Sequence, residues 1–125
     1  MERVLLDSNI IIYAAQPQHQ ALVAYLREFE VCYAKISQIE VLGYHLLKTG
    51  DRKLFEVFFS HATGFALSEA VVMEAISMKQ QQKMSLGDAL IAATASVHGL
   101  RLFTRNVRDF DHLIGLQVVD PFDSM

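Results

Sequence analysis

Short apolar runs alternate with amphipathic stretches along the whole chain. "RVLLDSN" is an apolar run that ends in an acid and turn-forming residues, which is typical of a buried strand. Further strands are predicted at "VCYAKIS", "GFALS", "LRLFT" and "LQVVD". These runs are apolar throughout rather than alternating, as in strands buried on both faces. We therefore expect an α/β fold with a central, mostly parallel sheet of four to five strands and helices on both faces.

Between the strands, apolar residues recur at three- and four-residue spacing, as they do on one face of a helix. The predicted helices begin at Pro17, Ser37, Asp51, Ser68 and Ser85. Gly50 is expected to end the second of these helices, and Gly99 the last, because glycine commonly stops a helix.

Composition narrows the class of protein. A chain of 125 residues, 52% of them hydrophobic, suits one domain over residues 1–125. No apolar run reaches the roughly 18 to 20 residues of a membrane helix. The amino terminus "MERVLLDSN" carries acids too early for a signal peptide, so we expect a cytoplasmic protein.

The net charge and the single cysteine exclude further classes of protein. A net charge of −3 argues against broad electrostatic adhesion to nucleic acid, although a local basic patch remains possible. Cys32 stands alone, which rules out an intrachain disulfide and a cysteine zinc site. We expect it to be a buried, small apolar residue.

Four acids are expected at one edge of the sheet. In a strand-helix-strand unit, the carboxyl end of a strand and the start of the next helix share an edge. Asp7 ends the first strand, and Asp109 follows the strand "RLFT" by a short loop. Glu40 and Asp88 are predicted in the first turns of two helices. All four carboxylates could therefore meet in one crevice, where sheets of this class bind ligands.

Each acid also has a purely structural explanation. Ser37–Glu40 and Ser85–Asp88 match the capping-box spacing, in which the acid bonds back to the amide of the cap residue. Asp7 could form an Asx-turn in "DSN", and Asp109 could be a solvated loop acid.

Convergence of the acids would require a counter-charge. Two like charges about 4 Å apart repel by roughly 4 kcal/mol at an effective dielectric constant of about 20, so clustered carboxylates need protons or a cation. Oxygen ligands favour Mg²⁺ or Mn²⁺ over zinc, and the five histidines show no metal-ligand spacing.

Four segments resemble a known family. "VLLDSNIIIYA" resembles the opening motif of PIN-domain ribonucleases, and "ISQIEVLGY" their second-acid helix. "SLGDALIAATASVHGLRLFTRNVRDF" is similar to their carboxyl-terminal signature, and "GLQVVDPF" to their last strand. The order and spacing agree over nearly the whole chain. The short length is similar to that of the VapC toxins of toxin–antitoxin pairs.

The resemblance implies a metal-dependent endoribonuclease with Mg²⁺ or Mn²⁺ as cofactor. Asp7, Asp88 and Asp109 would then hold the metal, and Glu40 would orient or deprotonate the attacking water. In the family the fourth acid sits at the place of either Asn106 or Asp109, and only the latter is acidic here.

Further residues are implied as support. Ser8, Thr104 and Asn106 would be polar neighbours of the acids, with Ser8 standing where threonine is commoner in the family. Asn106 could equally be a structural turn residue. Arg105 or Arg108 could hold the RNA backbone. The implied partners are an RNA substrate, an antitoxin that occludes the site, often with a basic side chain, and a second copy in a homodimer.

Two other functions remain open from the residues. In the first, the fold is an interaction module whose acids bind a cation or the arginine of a partner without cutting RNA. In the second, Asp7 is the covalent nucleophile of a phosphatase. That chemistry needs a general acid beside Asp7, and "DSN" supplies no second aspartate.

Overall fold

The computed structural model describes residues 1–125 and contains a five-stranded sheet in which every neighbouring pair of strands is parallel. The strands are β1 (Arg3–Leu6), β2 (Glu30–Ala34), β3 (Thr63–Phe65), β4 (Arg101–Phe103) and β5 (Val118–Val119). Their order across the sheet is β3-β2-β1-β4-β5. The predicted α/β fold class is confirmed.

Six α-helices connect or cover the strands. They are α1 (Ser8–Ala14), α2 (Gln20–Leu26), α3 (Lys35–Leu42), α4 (Thr49–His61), α5 (Glu69–Gln81) and α6 (Leu86–His98). Short 3₁₀ turns lie at Pro17–His19, Val107–Asp109 and Pro121–Asp123. None of the helices has the length and apolar character needed to cross a membrane.

Two hydrophobic layers cover the sheet because successive strand side chains point to opposite faces. Leu5 packs in a layer with α5 and α6, whereas Val4 and Leu6 pack with α1, α2 and α4 on the other face. In α6, every residue from Ala89 to Ala95 is buried. Cys32 is fully buried in the first layer, as expected.

Several predicted boundaries are correct for the expected physical reason. The hydroxyl groups of Ser68 and Ser85 accept from backbone amides at the starts of α5 and α6, so both serines are N-caps. Gly99 ends α6 with φ +66°, a left-handed conformation that glycine adopts without strain.

Other boundaries were predicted wrongly. α3 begins at Lys35, so Ser37 lies inside the helix instead of capping it, and Glu40 lies beyond its first turn. The helix ends at Leu42 with Gly43 as its cap residue, and Gly50 lies in the first turn of α4. Pro17 opens only a 3₁₀ turn before α2. For Ser37 the reason is tertiary packing, because its side chain is buried and hydrogen-bonded to Ser8 instead of to a helix amide.

Helix α1 was not predicted at all. Its isoleucines favour extended structure, because branching at Cβ restricts their rotamers in a helix. The helix forms because Asp7 caps it, with Oδ1 accepting from the Ile10 amide at 2.8 Å, and because Ile10 and Ile11 are buried against the sheet.

The strand order changes direction beside β1. From β1 the chain moves outward to β2 and β3, and then returns to place β4 on the other side of β1. The amide of Asp7 donates to the carbonyl of Phe103 at 3.1 Å, so the carboxyl ends of β1 and β4 lie together. Open parallel sheets bind ligands in the crevice at such a switch point.

Candidate active site

Asp7 is the buried acid at this switch point. It follows β1 directly, and only 5% of its surface is exposed. Burial raises the pKa of Asp7, while hydrogen bonding by the Thr104 side chain and the Ile10 amide opposes the rise. The negative charge of Asp88 raises the pKa of Asp7 further. Asp7 and Asp88, 81 positions apart in the sequence, are therefore electrostatic neighbours.

Asp88 lies in the first turn of α6 and is half-buried. Its amide donates to Ser85 Oγ at 3.1 Å, which is one half of the capping box expected for this pair. Burial raises the pKa of Asp88, and the charges of Asp109 and Glu40 raise it further. Asp88 therefore interacts electrostatically with each of the other three acids.

Glu40 reaches the cluster from α3. Its side chain is exposed, and Oε1 lies 2.7 Å from the hydroxyl oxygen of Ser8. The Ser8 oxygen also lies 3.0 Å from Ser37 Oγ, and Ser37 is fully buried. A hydroxyl has one proton and a carboxylate can only accept, so Ser8 donates to Glu40 and accepts from Ser37.

Asp109 lies at the end of the 3₁₀ turn that follows β4. Its side chain is exposed, and its charge acts on Asp88. Gln82 donates from Nε2 to the carbonyl oxygen of Asp109 at 2.8 Å. Gln82 directly follows α5, and no local pattern in the sequence connects it with Asp109. Its contact spans 27 positions.

Thr104 and Asn106 connect the end of β4 to the loop of Asp109. Thr104 is fully buried, and its hydroxyl oxygen accepts from the amide of Asn106 at 3.0 Å. The carbonyl oxygen of Asn106 in turn accepts from the amide of Asp109 at 3.0 Å. Asn106 therefore shapes the turn through its backbone, while its side chain is exposed.

None of the four acids forms an ion pair with the protein. The ion pairs of the chain are Arg3–Glu30, Arg52–Glu56 and Arg101–Glu2, and His112 contacts Asp111, which makes an ion pair only when the imidazole is protonated. Within the chain, only neutral hydroxyl and amide donors stabilise these carboxylates, and the pKa values of Asp7 and Asp88 are raised.

The donor set fits a hard divalent cation, because carboxylate oxygens are the ligands that Mg²⁺ and Mn²⁺ prefer. No three acidic, histidine or cysteine side chains are yet arranged around one point at which an ion could be held. Asp7 and Glu40 direct oxygens to protein donors, Ile10 and Ser8 respectively. The acids are thus electrostatically coupled, without forming a closed ligand shell.

Two of the four acids line cavities. Glu40 lines one of about 700 Å³, between α1, α3 and α4. Asp109 lines another of about 470 Å³, together with Arg105, Asn106 and Arg108. Asp88 lines neither cavity, but the charges of both Glu40 and Asp109 raise its pKa.

Comparison with known families identifies the fold and its class. The family model for the PIN domain matches residues 4–116, which include all four acids. The chain belongs to the PIN domain family. The match confirms the expected family resemblance. Comparison with curated proteins gave no significant match.

Solved structures show the same fold. A chain of the toxin–antitoxin complex from Klebsiella pneumoniae is 27% identical, with a TM-score of 0.78, and the match covers 94% of this PIN domain and 97% of that chain. A chain of DNA-bound VapBC from Salmonella typhimurium is 18% identical, with a TM-score of 0.83, and the match covers 96% of this chain and 98% of that one. A chain of FitAcB from Neisseria gonorrhoeae is 24% identical, with a TM-score of 0.73, and the match covers 95% of this chain and 98% of that one.

Replacing Asp88 by asparagine should stabilise the metal-free protein at neutral pH. The folded-state pKa of Asp88 lies above its ordinary value of 3.8, so the ionised carboxylate destabilises the fold. As the pH falls, the folded native protein takes up a proton before the unfolded chain does. The advantage of Asp88→Asn should therefore shrink between the raised pKa and 3.8. Thermal unfolding in EDTA across this range measures it.

Asp51→Asn is the matched control, because Asp51 is an exposed acid in the first turn of α4. It should give no gain in melting temperature, since an acid there interacts favourably with the helix dipole. An Asp88→Asn protein that melts at or below the native temperature at neutral pH would contradict the electrostatic coupling.

Proposed function

We propose that this PIN domain is a metal-dependent endoribonuclease and the toxin of a toxin–antitoxin pair. The observation that carries the proposal is the group of four acids at the switch point of the sheet, in which Asp88 feels the charges of Glu40 and Asp109 and none has a cationic partner. Such a group is suited to a hard divalent cation and a phosphate.

Each acid has a distinct part in the proposed reaction. Asp7 and Asp88 would hold Mg²⁺ or Mn²⁺ directly, and Asp109 would complete the ligand set. When bound, the ion lowers the pKa of a water molecule and offsets negative charge on the phosphate. Glu40, directed by the Ser8 hydroxyl, would orient the attacking water and accept its proton. Thr104 and the Ile10 amide fix Asp7.

Cleavage of structured RNA tests this function. The native protein should cut RNA when Mg²⁺ or Mn²⁺ is present and should stop when EDTA is added. Asp88→Asn should lower the rate by about a hundredfold or more, because changes to groups that merely support a metal ligand already cost about 10- to 100-fold. Asp51→Asn should cleave at the native rate. Equal cleavage by the native and Asp88→Asn proteins would exclude the proposed site.

The RNA backbone would approach along the cavity of Asp109. The Arg105 guanidinium lies 4.1 Å from the centre of the Phe122 ring and 5.3 Å from that of Tyr13. Arg105 is exposed and forms no ion pair, so stacking orients its planar group while its N–H donors stay available. Arg108 lines the same cavity. Both arginines are therefore suited to phosphate oxygens beside the scissile bond.

Replacing Arg105 should weaken RNA binding more than it slows the cleavage step. We expect Arg105→Ala to raise KM severalfold at nearly unchanged kcat and to lower the salt dependence of binding by about one phosphate contact. Arg105→Lys should restore only part of the affinity, because lysine keeps the charge but lacks the planar group. Lys53→Ala, an exposed residue of α4, is the control. An unchanged KM in Arg105→Ala would remove Arg105 from the RNA path.

An antitoxin would have a groove to occupy next to the acids. The cavity lined by Glu40 shares Ala15 and Phe55 with a second cavity of about 430 Å³, whose walls are almost entirely apolar and include Leu54. We propose these two adjoining cavities, from Glu40 to Leu54, as the antitoxin groove. An apolar segment of an antitoxin could lie there with a basic side chain reaching Glu40, as the resemblance implies. A homodimer, also implied, stays a prediction.

A charge in this groove should release the toxin from inhibition. Leu54 is 55% exposed, so Leu54→Arg should leave folding and RNA cleavage unchanged while preventing inhibition by the antitoxin, which is to be sought as a short companion protein encoded in the neighbouring reading frame. Met73→Arg, at a 57% exposed position of α5, should remain inhibited. Cleavage assays with the purified companion protein measure both. Inhibition of both variants would place the antitoxin elsewhere.

A non-catalytic interaction module is the second candidate. The absence of a closed ligand set around one point favours it, because acids held apart can each bind a donor of a partner. Cation-dependent thermal stabilisation without RNA cleavage would support the module over the nuclease. The phosphatase is disfavoured, since Asp7 is buried and engaged in capping α1.

A further inference from the structure

The carboxylate of Glu40 rests against a glycine. A methyl group built on Gly87 would lie 2.7 Å from Glu40 Oε2 and 3.3 Å from the carboxyl carbon, the first distance being shorter than any real contact of a Cβ atom. Ser8 donates to the other oxygen, Oε1, at 2.7 Å, and Oε1 lies 3.6 Å from the same methyl group. One oxygen is thus hydrogen-bonded, and the other occupies the space that a side chain at position 87 would fill.

Backbone conformation does not explain this glycine. Gly87 is the second residue of α6, and only Gly99 and Gly115 have positive φ angles in this chain. An alanine at position 87 could therefore adopt the same backbone angles, and alanine is ordinarily the better helix former. What Gly87 provides is room beside Asp88 for the carboxylate of Glu40.

We propose that Gly87 and Ser37 are positioning residues for Glu40: Gly87 leaves space for one carboxylate oxygen, and Ser37 fixes the Ser8 hydroxyl that binds the other. Ser37 lies one turn before Glu40 on α3, fully buried, with its Oγ 3.0 Å from that of Ser8. The inference rests on the proposed function, in which Glu40 accepts the proton of the attacking water.

A side chain at position 87 would move Glu40 without moving the fold. The atoms it would meet are the far end of an exposed, flexible side chain, and no backbone atom of another element lies within 4 Å of the added methyl group among its nearest contacts. The carboxylate can rotate away from Ser8 into solvent. Asp7, Asp88 and Asp109 keep their positions, so cation binding and the chemical step become separable.

Gly87→Ala tests this separation, with Gly50→Ala as the matched control. A methyl group on Gly50, in the first turn of α4, meets nothing within 4 Å. We expect Gly87→Ala to lower kcat by about a hundredfold at unchanged KM, the scale of a misplaced catalytic group. Its melting temperature should be equal to or above that of the native protein, because alanine favours the helix, and the rise of that temperature on adding Mn²⁺ should match the native rise. Gly50→Ala should retain native kcat.

A double-mutant cycle tests whether the loss acts through Glu40. Glu40→Gln alone should be slow, and adding Gly87→Ala should slow it no further, because the carboxylate to be displaced is already gone. Ser37→Ala, which leaves α6 untouched, should also lower kcat, and again only when Glu40 is present. Losses that multiply in the double variants would overturn the positioning role.

The failure of this inference differs from the failure of the proposed function. Native kcat in Gly87→Ala beside an inactive Asp88→Asn protein would overturn the role of Gly87 and leave the nuclease standing. Native cleavage by Asp88→Asn would overturn the nuclease and, with it, this inference.

Discussion

Negative charge gathered at the carboxyl ends of β1 and β4 is the constraint on which the rest of the structure depends. Parallel strands bring Asp7 and the loop of Asp109 to one edge, and helix packing adds Asp88 and Glu40. Burial, and in addition the charge of neighbouring carboxylates, raises the pKa values of Asp7 and Asp88, so both groups destabilise the fold while they are ionised. The cluster is therefore maintained by the surrounding scaffold, which must hold each acid against repulsion from the others.

A different element holds each acid. Asp7 caps α1, and Asp88 lies in the first turn of α6, where helix dipoles partly offset negative charge. Glu40 is held by the Ser8 hydroxyl, and the loop of Asp109 by Gln82. Because these supports come from separate elements, a change in one of them can move a single acid while leaving the fold intact. A carboxylate such as that of Asp7 can therefore cap a helix and also serve in the proposed site.

The sequence was sufficient for the sheet, the edge on which the acids lie and the caps of α5 and α6, because these follow from apolar runs and local hydrogen bonds. It was misleading for Glu40, where the spacing to Ser37 matched a capping box although both residues lie within α3. The contacts that fix Glu40 could not be predicted. Ser8 and Glu40 lie 32 positions apart, and the contact of Gly87 with Glu40 exists only once α3 and α6 have packed. A glycine in a helix carries no pattern that reveals what fills the space beside it.

Glu40 also links the two surfaces of the proposed toxin. Its side chain lines the apolar groove, and its charge acts on Asp88 within the acidic cluster. A basic group brought along the groove would meet Glu40 first, and pairing with it would compete directly with the hydrogen bond from Ser8. Inhibition then requires no blockage of the whole RNA path, since withdrawing one carboxylate removes the acceptor for the proton of the attacking water. The exposure that makes Glu40 available to water makes it equally available to an inhibitor.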